Sequence, residues 1–144
     1  MTVAAILKHK GYHVSIVDPA ATVSEIAGML SERRIGAVLV MDQEEQILGI
    51  VSERDIVRCL AANGTRIMEM TAGQLMTRAV QVARPETTVI EAMQLMTAGR
   101  FRHMPVMDHG TLIGLISIGD VVKARIMQQD TEVESLTAYV AGSA

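Results

Sequence analysis

Gly49-Ile50-Val51-Ser52-Glu53-Arg54-Asp55 and Gly114-Leu115-Ile116-Ser117-Ile118-Gly119-Asp120 are two versions of one phrase: glycine, two apolar residues, serine, two spacers, aspartate. An apolar run leads into each serine. Helix-like spacing follows each aspartate, through Ile56, Val57 and Leu60 in one and Val121, Val122 and Ile126 in the other. Each phrase therefore reads as a strand that ends and a helix that begins, with Ser at the N-cap and Asp in the first turn. Such a start presents free N–H groups and the positive end of the helix dipole, which suit phosphate. The carboxylate can accept hydrogen bonds from a ribose diol. The same residues also resemble a capping box that satisfies only the helix's own donors. Recurrence at equivalent places weighs against capping alone, because ordinary caps vary among Ser, Thr, Asp and Asn.

Working outward, the whole chain is a duplication. Val14, Pro19, Thr22, Val23 and Glu25 recur as Val80, Pro85, Thr88, Val89 and Glu91, all 66 positions on. Met41 and Asp42 keep that offset with Met107 and Asp108, and the glycines, serines and aspartates of the two phrases then stand 65 apart. One residue has been lost from the turn between the last two strands of the second copy.

Within the first copy, His13 to Val17 is expected to be a strand ended by Pro19, which lacks a ladder donor. Thr22-Val23-Ser24-Glu25 has the form of a capping box, and Val23, Ile26, Ala27 and Leu30 form an amphipathic stripe. That helix should end near Arg33-Arg34. Ala37 to Met41 is a continuous apolar run, hence a strand buried on both faces. Ile47 to Val51 is the next strand, and the second helix runs to Asn63-Gly64. The second copy repeats the order, with Thr88 to Glu91 as its box and strands at Met104 to Met107 and Leu112 to Ser117. The expected organisation is α/β (α+β), β-α-β-β-α twice. Residues 1–10 form an N-terminal helix, 11–64 the first repeat, 65–76 a linker with one short helix at Gly73 to Met76, 77–128 the second repeat and 129–144 a C-terminal helix or tail. Ile126, Gln129, Val133, Leu136 and Val140 alternate steps of three and four, as a coiled-coil seam does; a tail packed on its own domain is the alternative.

A length of 144 residues with 49% apolar content suits a folded domain with a sizeable core. A net charge of −3 gives no basic field for nucleic acid, and with no Trp, one Phe and two Tyr there is little to stack bases on. Eleven methionines read mostly as flexible core filler. No apolar run reaches membrane-spanning length, and Met1 to Lys10 has no signal-peptide core, so a cytoplasmic protein is expected. The single cysteine, Cys59, excludes an internal disulfide and reads as a packing residue.

The duplicated unit and its closing phrase resemble a pair of CBS domains (cystathionine-β-synthase motifs). Leu75-Met76-Thr77, Glu91-Ala92-Met93, Phe101-Arg102-His103-Met104-Pro105-Val106 and the Gly114 to Asp120 phrase carry the resemblance, which covers roughly Gly11 to Gln128. It implies two repeats packed sheet to sheet about a pseudo-twofold axis. It also implies a regulatory module whose two clefts take adenosyl ligands: AMP, ADP, ATP, NAD(H) or S-adenosylmethionine. On that resemblance the second cleft uses Asp120 for ribose and Ser117 for phosphate, with Ile116, Val82, Met104 and Pro105 walling the base. Thr77, Ala79 and Val80 form the segment leading into it, Gly119 leaves the backbone approachable, and Arg102 and His103 face the phosphate. The first cleft has Asp55 and Ser52, with Val51, Ile16 and Leu39 as walls. It departs from its twin: Gly36 and Ala37 replace Arg102 and His103, and Arg54 replaces Gly119. Arg33, Arg34 or Arg54 are the cations placed to compensate.

Other classes have less support. No Cys-His, Ser-His-Asp or paired-carboxylate pattern appears at recognisable spacing, so no enzyme is expected. His9, His13, His103 and His109 are scattered and no metal site is expected. A ligand-free interaction or dimerisation scaffold, in which both Ser-x-x-Asp phrases are only caps, remains the alternative to the sensor. The expected partners are an adenosyl nucleotide, a second copy of the chain in a homodimer, and an effector protein that the sequence does not identify.

Overall fold

The computed structural model describes residues 1–143, without the side chain of Ser143; the last residue of the expected tail, 144, lies outside them. The chain opens with α1 (Val3–Lys10) and divides into two units. One is Val14–Val80; the other joins Met1–His13 to the chain from Gln81 onward.

The first-repeat unit runs β1 (Ile16–Val17), α2 (Val23–Arg33), β2 (Ala37–Met41), β3 (Ile47–Ser52), α3 (Glu53–Asn63), a 3-10 helix (Gly64–Glu69) and α4 (Ala72–Leu75). β2 is the central strand, parallel to β1 and antiparallel to β3. All five of its residues are buried, as its unbroken apolar run requires. β1 is shorter than the His13 to Val17 expected. Thr22 caps α2 by accepting from the Glu25 N–H, but Glu25 does not return the bond, so this box is half formed. The linker holds the 3-10 turn as well as the expected short helix. Ile67 anchors that turn with no exposed surface, and one apolar residue leaves no periodicity to read.

The second-repeat unit runs α5 (Val89–Gly99), β4 (His103–Asp108), β5 (Thr111–Ser117) and α6 (Ile118–Ser143). Its sheet has two strands, not the expected three. The residue to blame is Pro105. In the first repeat the Leu39 N–H donates to Ser15 O, binding β1 to β2. Pro105 stands where Leu39 stands and has no N–H to give. Only the bonds around Ala83 survive, from its N–H to Pro105 O and from the Met107 N–H to its O, leaving an isolated bridge. The rest of the duplication is faithful. Bulges fall at Val40/Met41 and at Val106/Met107, and Arg34 and Arg100 end α2 and α5 in the left-handed region at φ 53° and 54°. The missing residue is in the β4–β5 turn, where His109 and Gly110 both have positive φ, as a two-residue hairpin turn demands.

The segment before each repeat packs in the other repeat's unit. Thr2 bridges Thr88 as Thr71 bridges Thr22. The Val89 N–H donates to Met1 O as the Val23 N–H donates to Met70 O. Val3, Ile6 and Leu7 of α1 accordingly join Val89, Met96, Met104, Val106, Ile116 and Val121 in the second-repeat core. Ala72, Leu75 and Met76 join Val23, Ile26, Val38, Val40 and Val51 in the first-repeat core. Cys59 packs against that core, half-buried.

α6 continues straight through the expected boundary at Gln128. Ile126, Val133 and Leu136 of the seam are 53%, 64% and 69% exposed, so this stretch is not packed on its own unit.

Candidate functional site

Both Ser-x-x-Asp phrases form reciprocal caps, yet their carboxylates differ. In the first, Asp55 Oδ2 accepts from the Ser52 N–H at 2.8 Å and the Ser52 hydroxyl at 2.9 Å, and the Asp55 N–H donates to Ser52 Oγ at 3.3 Å. Asp55 Oδ1 accepts from the Thr77 hydroxyl at 3.2 Å, with the Arg58 guanidinium 4.0 Å away. Both oxygens are engaged and the residue is only 9% exposed.

In the second, Asp120 Oδ2 accepts from the Ser117 N–H at 2.8 Å, and the Asp120 N–H donates to Ser117 Oγ at 3.1 Å. The same Oδ2 accepts from Lys10 Nζ at 2.6 Å, and Nζ also donates to Leu115 O at 2.8 Å. Asp120 Oδ1 accepts no hydrogen bond from the described residues, and the side chain is 23% exposed. Lys10 and Asp120 line a concavity of about 290 Å³ with Ile6, His9, Lys123 and Met127. The sequence reading missed Lys10. A signal existed: Met1-Thr2 repeats Met70-Thr71, which marks α1 as the counterpart of the linker helix.

The register brings the expected phosphate-facing residues to this helix start. His103 pairs with Ser117, and the Ile118 N–H donates to Arg102 O. Arg102 is exposed, with no side-chain partner among the described residues. In the first repeat Ala37 pairs with Ser52 and the Glu53 N–H donates to Gly36 O, the same frame without a cation. Arg33 cannot readily compensate, since its guanidinium is tied to Ser15 Oγ at 2.9 Å; Arg34 and Arg54 are exposed. A Cβ built at Gly119 would meet only Ser117 Oγ, at 3.6 Å, so packing does not demand that glycine.

Several expected wall residues lie elsewhere. Met104, Ile116 and Val51 have no exposed surface and belong to the two cores, because strand alternation turns them toward the helices. Leu39 and Pro105 are buried too. Ile16 and Val82 are 45% and 48% exposed, and Val82 lines a separate concavity with Arg84 and His109. Thr77, expected on the segment leading into the second cleft, donates its hydroxyl to Asp55, because its backbone pairs with Ile50 on β3. Ala79 is exposed and Val80 half-buried in the segment that follows. Among the described residues no cluster of His, Cys, Asp or Glu could hold a metal, and no helix is long and apolar enough to cross a membrane.

Burial works to raise the Asp120 carboxyl, but the Lys10 ammonium and the Ser117 N–H outweigh it and hold the group below its ordinary 3.8. A depressed carboxyl contributes stability that is present above the ordinary value and lost as pH falls through the lowered one. Lys10→Met is therefore expected to cost up to about 1 kcal/mol near neutral pH, a small figure because water screens the pair. Urea unfolding should show that cost vanishing well below pH 3.8; a cost that persists in acid would come from packing of the lysine stem.

The family described as CBS domain matches the chain twice, over residues 4–62 and 72–126. A curated relative, the mitochondrial CBS domain-containing protein CBSX3 of Arabidopsis thaliana, is 37% identical over 84% of this chain, which spans 61% of that relative's length. A CBS-domain containing protein from Agrobacterium tumefaciens is 42% identical, covers 87% of this chain and 99% of its own, and superposes with a TM-score of 0.85. CBSX2, solved in complex with AMP, is 28% identical over 89% of this chain and 98% of its own, with a TM-score of 0.70.

Proposed function

The chain belongs to the CBS-domain family, and from that premise we propose that it is a regulatory adenosyl-nucleotide sensor. It binds AMP, a related adenine nucleotide (ADP or ATP) or NAD(H), and relays energy or redox state to an effector protein without catalysing a reaction. The observation that carries this reading is the Ser117–Asp120 helix start, with one carboxylate oxygen open and the exposed Arg102 tied to it through its backbone carbonyl. The AMP complex of the 28% identical CBSX2 supports adenine nucleotide as the ligand class. Asp120 holds the ribose. The Ser117 helix start, Arg102 and His103 hold the phosphate, because the positive end of the helix dipole and a guanidinium suit its oxygens. Gly119 leaves the approach open. Met104, Pro105 and Ile116 contribute backbone rather than side chains to the base, with Val82 as the exposed apolar surface.

The first phrase supports a second reading. Asp55 has both oxygens engaged within its own unit, which favours a cap that holds Thr77 and β3 together. In this reading the Asp55 phrase binds a nucleotide weakly or takes another part of a dinucleotide. The repeats at 11–64 and 77–128 form the sensor, which acts in the cytoplasm.

The experiment is thermal unfolding with a panel of adenosyl compounds. A ligand that binds only the native state raises the melting temperature by mass action. At least one adenine nucleotide should do so; a flat response across the panel would leave the scaffold reading. We also expect a homodimer, because α6 exposes Ile126, Val133 and Leu136 along one seam. Sedimentation at tens of micromolar, roughly the range of a modest interface, should show a dimer and not a monomer.

A further inference from the structure

Lys10 ends α1, 110 positions before Asp120 in sequence, yet it reaches the second phrase. Its ammonium is bonded to Asp120 Oδ2 and to Leu115 O, at 2.6 Å and 2.8 Å. In the first repeat the corresponding carboxylate is bridged by Thr77, an uncharged hydroxyl. Asp55 thus takes its close side-chain donor from another segment as a neutral hydroxyl, with the Arg58 guanidinium only at 4.0 Å, whereas Asp120 is closed at 2.6 Å by a cation on a flexible stem. We infer that Lys10 is the resident counter-ion of Asp120 and makes this site select phosphorylated nucleosides over nucleosides. The inference rests on the sensor reading above.

Only Oδ1 of Asp120 is open, so a ribose diol that takes both carboxylate oxygens must compete with the ammonium for Oδ2. A neutral nucleoside that wins leaves the cation with Leu115 O and water in place of its carboxylate, a loss that water screens but does not cancel. A nucleotide instead delivers a phosphate of about two negative charges. The ammonium starts close to where that phosphate would sit, because Lys10 Nζ and the Ser117 N–H share Asp120 Oδ2. Rotation about the four-carbon stem suffices to transfer it from the protein carboxylate to the ligand. His9 and Lys123 line the same concavity, so the cation does not move into an acidic surrounding. The ammonium keeps an anionic partner when the ligand is phosphorylated and loses it when it is not.

Calorimetry of the full chain with AMP and with adenosine tests this in the wild type, Lys10→Met and Lys10→Arg, each first shown to melt cooperatively. In Lys10→Met the ratio of AMP to adenosine affinity should fall about tenfold, the size of a charged hydrogen bond. AMP should weaken and adenosine tighten, while Lys10→Arg keeps most of the ratio. If AMP binds but Lys10→Met leaves the ratio unchanged, or weakens both ligands alike, Lys10 is structural and the inference is overturned. If AMP and the other adenosyl compounds fail to bind the wild type, the sensor reading itself fails.

Discussion

Gly49→Ala is expected to destabilise the protein by about 3 kcal/mol, the upper end of what overpacking costs. A Cβ there would stand 2.7 Å from Thr77 O and 2.7 Å from Met76 Sδ. The methionine tip can swing away, but the carbonyl cannot, because it accepts from the Ile50 N–H at 3.0 Å. Relief would require breaking the bridge that docks the linker onto β3, and with it the Thr77 bond to Asp55. The other glycines of the two phrases provide internal controls. At Gly114 the new Cβ would come within 2.6 Å of Leu7 Cδ2, a clash with a side chain of α1, so a smaller loss is expected. At Gly119 the new methyl finds room, and replacing glycine in a helix by alanine gains roughly 0.5–1 kcal/mol. Urea unfolding of the three variants should rank Gly49→Ala as most harmful and Gly119→Ala as neutral or stabilising. Equal losses at Gly49 and Gly119 would contradict the packing account.

This series shows what the sequence disclosed and what it hid. The phrases were found because strand, cap and helix leave local signatures: an apolar run, a Ser at the N-cap, a stripe at helical spacing. The reason for the leading glycines was not local. It depends on Leu7 lying over Gly114 and on Met76 and Thr77 lying over Gly49. Distance in sequence also concealed Lys10, which is 110 positions from Asp120. The lost third strand of the second sheet could have been read from Pro105, since proline cannot supply the donor that Leu39 supplies. That the side chains of Met104, Ile116 and Val51 turn into the cores was hidden for a different reason. A continuous apolar strand shows that both faces are buried without telling which side chains the core uses.

Asp120→Ala should weaken AMP roughly ten- to a hundredfold, the value of about 1.5–3 kcal/mol for hydrogen bonds to a charged group. Glu132→Ala, an exposed control farther along α6, should change nothing. The two aspartates should separate by readout. Asp55 serves its own fold with both oxygens, so Asp55→Ala should cost stability by orphaning the Ser52 and Thr77 donors, with less effect on AMP. Asp120 keeps Oδ1 open and part of its surface in water, so its loss should fall on the ligand. Losing the carboxylate also frees Lys10, which can then reach the phosphate without competition; adenosine gains nothing from that and should suffer at least as much as AMP. Arg102→Ala should do the opposite, weakening AMP while sparing adenosine, because it removes a phosphate contact and leaves the nucleoside contacts in place. Calorimetry of both ligands on the four variants distinguishes these patterns. Unchanged AMP affinity in Asp120→Ala would reduce that carboxylate to a helix cap. Two equal AMP sites in the wild type would end the argument for asymmetry between the repeats.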